Sequence, residues 1–128
     1  MEKTQQSIYY NDLVEQEFCE LWETMYNQLK LVVWDCSLYN TPKHRYIVLD
    51  CIKVSEEARK QGVASMSMKL LCEYADKYNL RVYLQPSDIY GTSIEILEKF
   101  YSKFQFKRSF KKDIPLEYKT YHLREPKT

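Results

Sequence analysis

The chain has 128 residues, 45% of them hydrophobic and 29% charged, with a net charge of +1. That length suits one domain, 1–128, with enough apolar side chains to bury a core, which excludes wholesale disorder. No apolar run nears the roughly 18 residues of a membrane span, and the start MEKTQQSIYY lacks the apolar centre of a signal peptide, so a cytoplasmic protein without membrane attachment is expected.

Scarcities exclude more. Glycine occurs twice, at Gly62 and Gly91, so phosphate loops, dinucleotide fingerprints and nucleophile elbows, which need paired glycines, are ruled out. The two histidines, His44 and His122, are far apart, and Cys19, Cys36, Cys51 and Cys72 are spaced 17, 15 and 21 residues apart. Neither a zinc site nor a cytosolic disulfide is expected from such spacing; free, mostly buried thiols are. Charge is uneven. Residues 1–29 hold six acids and one base, and residues 99–128 nine bases and three acids. Two solvated faces would explain this, and so would a basic region for a polyanion with an acidic region for a cation.

In chain order, SIYY (7–10) reads as a short strand. From Asn11 to about Leu29 the pattern is helical, since Val14, Phe18, Leu21, Met25 and Leu29 recur every three or four residues. Asp12 with Glu15 resembles a capping box. LVVWDCSLY (31–39) reads as a strand and Asn40-Thr41-Pro42 as a turn. RYIVLDCIKV (45–54) is largely apolar on both faces, as in a central strand covered on two sides. Tyr46, Val48, Ile52 and Val54 fall on one face, with Ile47, Leu49 and Cys51 on the other. The polar SEEARKQ then leads to Gly62 and a helix over 63–78. Its stripe is Val63, Met66, Leu70, Leu71, Tyr74 and Tyr78, and Asn79 is its left-handed cap. RVYLQ (81–85) is a short strand stopped by Pro86. Thr92 and Glu95 form a second capping box before a helix with Ile94, Leu97, Tyr101 and Phe104 on one face. Strands near 104–110 and 118–124, joined by a loop containing Pro115, complete an α/β or α+β arrangement.

The junction from strand 45–54 into helix 63–78 carries the chemistry. A helix start offers unpaired N–H groups at the positive end of a dipole, a ready site for an anion. The loop adds Arg59 and Lys60. Gly62 leaves no Cβ in the way, and Ala64 and Ser65 are small. An ordinary glycine turn is the plainer alternative. Asp50 stands out too, because it interrupts an apolar strand, where a buried carboxylate must be paired, hydrated or raised in pKa.

The order strand, Arg59-Lys60-Gln61-Gly62-Val63-Ala64, helix resembles motif A (Gln/Arg-x-x-Gly-x-Gly/Ala) of the GNAT superfamily of acyl-CoA-dependent N-acetyltransferases. Leu97-Glu98-Lys99-Phe100-Tyr101-Ser102-Lys103-Phe104-Gln105-Phe106 resembles its FYxKxGF segment, with Gln105 where glycine is usual. The resemblance covers about residues 44–124. The size and the ending Tyr121-His122-Leu123-Arg124-Glu125-Pro126 resemble small members common in phage genomes.

The resemblance implies a mixed, mostly antiparallel sheet, flanked by helices, with a V-shaped splay between two central parallel strands. It implies that coenzyme A rests its pyrophosphate on the backbone of Arg59, Lys60, Gln61, Gly62, Val63 and Ala64, with Ser65 following. The pantetheine arm would pair with the strand edge at Ile52, Lys53 and Val54. Lys99 and Lys103 would flank the coenzyme. Tyr101 would protonate the leaving thiolate, the alternative being a core tyrosine. Asp50 would be the general base or hold a water, the alternative being an aspartate bonded to a nearby loop.

The expected activity is acetyl transfer from acetyl-CoA, without a metal, by direct attack of a primary amine. The acceptor would be a protein lysine, an amino terminus or a polyamine, and the protein a monomer or homodimer. One alternative is a catalytically weak module that binds coenzyme A or a partner. A nucleic-acid binder, suggested by the Lys/Tyr-rich stretch 101–121, is opposed by the near-neutral charge.

Overall fold

The chain opens with a long helix, α1 (Glu2–Glu23), where SIYY suggested a strand. In the computed structural model, residues 2–59, 61–84, 93–108 and 122–127 are described, with the backbone alone at 2–12, 59 and 94. Tyr10 stands four residues before Val14, so the helical period already runs through the apolar island and no turn separates the two. Asp12 therefore lies inside the helix, and there is no N-terminus at the proposed capping box. Val14, Phe18, Leu21 and Met25 form the buried stripe. The helix then widens into a π-turn over Thr24–Gln28, where Leu29 N–H donates to the Thr24 carbonyl at 3.0 Å. Lys30, at φ 55°, ends it.

Strands β1 (Val33–Asn40) and β2 (Arg45–Lys53) follow as an antiparallel hairpin. Thr41 and His44 close its turn with reciprocal backbone bonds of 3.0 and 3.3 Å. A short helix α2 (Glu56–Arg59) leads to α3 (Val63–Lys77), β3 (Arg81–Leu84) and α4 (Ile94–Ser102). The last described strands are β4 (Lys107–Arg108) and β5 (His122–Arg124); residues 104–105 belong to the turn after α4, so β4 starts later than expected, and 109–110 and 118–121 lie outside the described residues. The sheet order is β1-β2-β3-β5-β4, with β2 and β3 parallel and the other described pairs antiparallel. None of the described helices is long and apolar enough to cross a membrane.

One irregularity in β2 reorganises its faces. Asp35 pairs with Cys51, but Cys36 pairs with Leu49, so Asp50 is an extra residue and forms a β-bulge. A one-residue slip reverses every side chain beyond it. Ile52 and Val54 therefore join Ile47 and Leu49 in the core on the helical face, rather than Tyr46 and Val48 as strict alternation required. Tyr46 and Val48 pack with Tyr83 and Leu123 on the other face.

Helix α3 buries Ser67, Met68, Leu71, Cys72, Tyr74 and Ala75. Met66 is 49% exposed and not in the stripe, because it lies two residues, about 200°, from the centre of that face at Met68. Asn79 adopts φ 56°, and Leu80 N–H reaches the Ala75 carbonyl at 2.8 Å, so the expected left-handed cap forms. Helix α4 is capped by Ser93, whose hydroxyl accepts from Ile96 N–H at 3.3 Å. Thr92, like Gln85 and Pro86, lies outside the described residues. Cys36 and Cys72 are buried thiols, while Cys51 is half-buried and Cys19 exposed.

Candidate active site

The start of α3 is built as an open anion cradle. Ser55 Oγ accepts from Ala58 N–H at 3.3 Å and starts α2, and Gln61 N–H closes it on the Ala58 carbonyl at 3.0 Å. Gly62 then turns left-handed, at φ 72° and ψ 22°, and supplies no side-chain cap. The first backbone bond of α3 runs from Met66 N–H to the Gly62 carbonyl at 3.0 Å, so the N–H groups of Val63, Ala64 and Ser65 precede any intrahelical partner. Among the described residues nothing lies within 4 Å of where a Cβ on Gly62 would sit. Glycine is required here by the backbone angle, φ 72°. Arg59 ends α2, with its side chain undescribed, and Lys60 lies outside the described residues.

The described register of β2 with β3 runs from Tyr46 opposite Arg81 to Leu49 opposite Leu84, and the β1–β2 ladder continues past the bulge to Lys53. Ile52 is half-buried against the helical-face core, Val54 is buried, and Lys53 is half-buried. The end of β2 leads through α2 into the cradle.

Tyr101 lies on α4, 7% exposed, with its ring 5.2 Å from Phe100 and 5.9 Å from Phe106. Burial, with a smaller push from the Cys51 thiol, raises its pKa to about 12. The phenol keeps its proton at neutral pH, and its interaction with Cys51 places it by the bulged end of β2. Among the described residues no hydrogen bond engages its hydroxyl. Helix α4 ends in a Schellman turn: Phe106 N–H donates to the Tyr101 carbonyl at 3.3 Å and Gln105 N–H to the Ser102 carbonyl at 3.0 Å. Gln105 sits at φ 71°, the conformation glycine adopts at least cost.

Asp50 is exposed rather than buried, because a bulge residue is freed from the alternation that would have covered it. Partial burial and then the carboxylate of Asp35 raise its pKa above the usual carboxylate value. Asp35 had no role in the sequence reading; only the bulged register sets it beside Asp50 across the hairpin. A second unforeseen feature is Tyr26, carried by the π-turn. Its hydroxyl donates to the Trp34 carbonyl at 3.3 Å and accepts from Trp34 N–H at 3.1 Å, occupying edge groups of β1 next to Asp35. Lys99 and Lys103 are exposed near the C-terminal end of α4. Of the acids on α1, Glu17 is committed to Lys77 at 2.8 and 3.0 Å, while Glu15, Glu20 and Glu23 are exposed.

A model of the acetyltransferase (GNAT) family matches residues 16–103. The chain belongs to the GNAT family. No curated protein and no solved structure gives a significant match. The matched span runs from α1 through the cradle and both parallel strands to the end of α4. The five-stranded mixed sheet with its helices is the GNAT-like arrangement expected from the motifs.

Proposed function

We propose that this GNAT protein is an N-acetyltransferase that moves an acetyl group from acetyl-CoA to a primary amine, and that residues 1–128 form one such domain. The observation that carries this reading is the uncapped, left-handed start of α3 at Gly62, inside the span that the GNAT family model matches. The residues fit the co-substrate. A diphosphate finds the free amides of Val63, Ala64 and Ser65, and the sequence sets the basic Arg59 and Lys60 just before them. The family resemblance sets the amide-bearing arm along β2 at Ile52, Lys53 and Val54. Acetyl-CoA supplies an activated thioester, so the chemistry exchanges a C–S bond for a C–N bond.

Two side chains handle protons. Tyr101, protonated at neutral pH and lacking a described partner, donates to the departing thiolate. Asp50, exposed at the bulge and with its pKa raised above the usual carboxylate value by partial burial and the Asp35 carboxylate, takes the amine proton directly or through water. The exposed acids Asp35, Glu20 and Glu23 favour a cationic acceptor such as a polyamine, a lysine side chain or an amino terminus, in a cytoplasmic setting. The coenzyme-binding module is a weaker reading, since the Schellman turn forms at Gln105 without the usual glycine.

Acetyl-CoA should raise the melting temperature by linkage. Free thiol should then appear in the presence of a polyamine or lysine-peptide panel. Tyr101→Phe should lower kcat by about 10²–10⁴, the range for a general acid, while coenzyme stabilisation persists. Stabilisation without thiol release in either protein would favour the binding module instead.

A further inference from the structure

A titratable cluster lies under α4, away from the cradle. His122 of β5 is 8% exposed and faces Glu98 of α4, with Nε2 3.7 Å from Oε1. Glu98 also accepts from Arg108 of β4 at 3.1 Å. Among the described residues the buried His122 Nδ1 has no hydrogen-bond partner. Leaving a buried polar group unpaired is destabilising, so apolar residues would serve this position better if packing were its only role. Position gives the cluster a role. His122 is in register with Leu84, and Leu84 with Leu49, the residue just before the bulge at Asp50. Glu98 is three residues before Tyr101, so the same turn of α4 carries both.

We propose that Arg108, Glu98 and His122 form a positioning unit that sets α4, and with it the Tyr101 phenol, and that proton uptake by His122 shifts this setting. The proposal rests on the reading of Tyr101 as proton donor. With the imidazole neutral, Glu98 is held by Arg108. A proton on His122 creates a second cation facing Glu98 and draws the carboxylate towards β5, and α4 moves with it. The charged groups around the imidazole are Glu98 on α4, Arg108 on β4 and, two residues along β5, Arg124, itself held by Asp76 of α3. On β3 its partner is the apolar Leu84. Burial lowers the His122 pKa first, Glu98 raises it and Arg108 lowers it, so the neutral form prevails at physiological pH.

NMR of the full-length protein tests this without relying on turnover. The Tyr101 ring signal, assigned by its loss in Tyr101→Phe, should move with the same midpoint as the His122 imidazole. In Glu98→Gln, His122 should titrate at a lower pH and the Tyr101 signal should no longer follow. A Tyr101 signal that stays flat while His122 titrates, or one that follows equally in Glu98→Gln, overturns the proposal. Kinetically, Glu98→Ala should cut kcat by roughly ten- to a hundredfold, as expected for a donor displaced by about an ångström, with acetyl-CoA affinity within about twofold. An equal loss of affinity with unchanged kcat argues against positioning. If instead Tyr101→Phe acetylates at full rate while the NMR coupling is present, the proposed proton donor fails and the positioning unit stands.

Discussion

The two ends of α3 are built in opposite ways. At its C-terminal end the polar groups are tied down. Asn79 closes the helix, Arg45 Nη2 donates to the Tyr78 carbonyl at 3.3 Å, and Lys77 holds Glu17 of α1. The Tyr74 hydroxyl donates to the Val14 carbonyl at 2.7 Å. Arg124, 3% exposed, grips Asp76 with bonds of 2.8 and 3.0 Å and donates from Nε to the Phe104 carbonyl at 3.0 Å. That one guanidinium ties together β5, α3 and the end of α4. At the N-terminal end no described side chain caps the helix, and the strand that leads to it is bulged. Four elements are bonded to one end, whereas at the other the amides of Val63, Ala64 and Ser65 precede any intrahelical partner. The contrast separates stability from binding: the closed end fixes the helices, so the open end can hold unpaired donors in place.

Substitutions at each end should therefore differ in kind, and the largest effect belongs to the closed end. Asp76→Ala leaves a buried guanidinium unpaired. Stability should fall by about 3 kcal/mol, the lower limit for breaking a buried pair, because Asp76 is 27% exposed. Denaturant titration measures it, and acetyl-CoA binding by the folded fraction should be unchanged. The pH dependence has a defined sign. Burial would raise the Asp76 pKa, but the Arg124 hydrogen bonds and the Lys127 N–H bring it below the usual value. Its contribution is present above the unfolded pKa near 3.9 and is lost as pH falls towards the folded pKa.

Next comes Gly62→Ala at the open end. Its left-handed backbone should cost about 1–2 kcal/mol. Its Cβ projects into the space assigned to the diphosphate, so coenzyme affinity should drop by roughly tenfold or more, about 1.4 kcal/mol. Calorimetry showing undiminished acetyl-CoA binding would break the comparison. A smaller, opposite change is expected for Gln105→Gly. Relief of the left-handed strain at φ 71°, offset by a looser unfolded chain, should stabilise by about 0.5–1 kcal/mol, read as a raised melting temperature. The mildest effect is expected for Asp35→Asn. Removing its charge lowers the Asp50 pKa, so the acid limb of kcat should move to lower pH, while KM for a cationic acceptor rises modestly.

The open end was more legible in the sequence than the closed end. The Arg59–Ala64 motif, the stripe of α4 with inward Tyr101, and the left-handed Asn79 are local patterns set by backbone sterics and helical period. Arg124 and Asp76 are 48 residues apart, and nothing in the spacing pairs them. The exposure of Asp50, the regrouping of Ile52 and Val54 with Ile47 and Leu49, and the approach of Asp35 all follow from one bulge. Side-chain alternation within β2 does not encode that bulge, since it is a property of the register between two strands.

The sequence by itself determined which segments are helix or strand over most of the described chain, why glycine stands at 62, and membership of the GNAT family. Only the tertiary structure decided that α1 starts at residue 2, which face follows the bulge, which acids meet, and that His122 lies under Glu98. Propensity, capping and periodicity act within a few residues of chain. Register, burial and charge pairing depend on segments that meet only after the chain has folded.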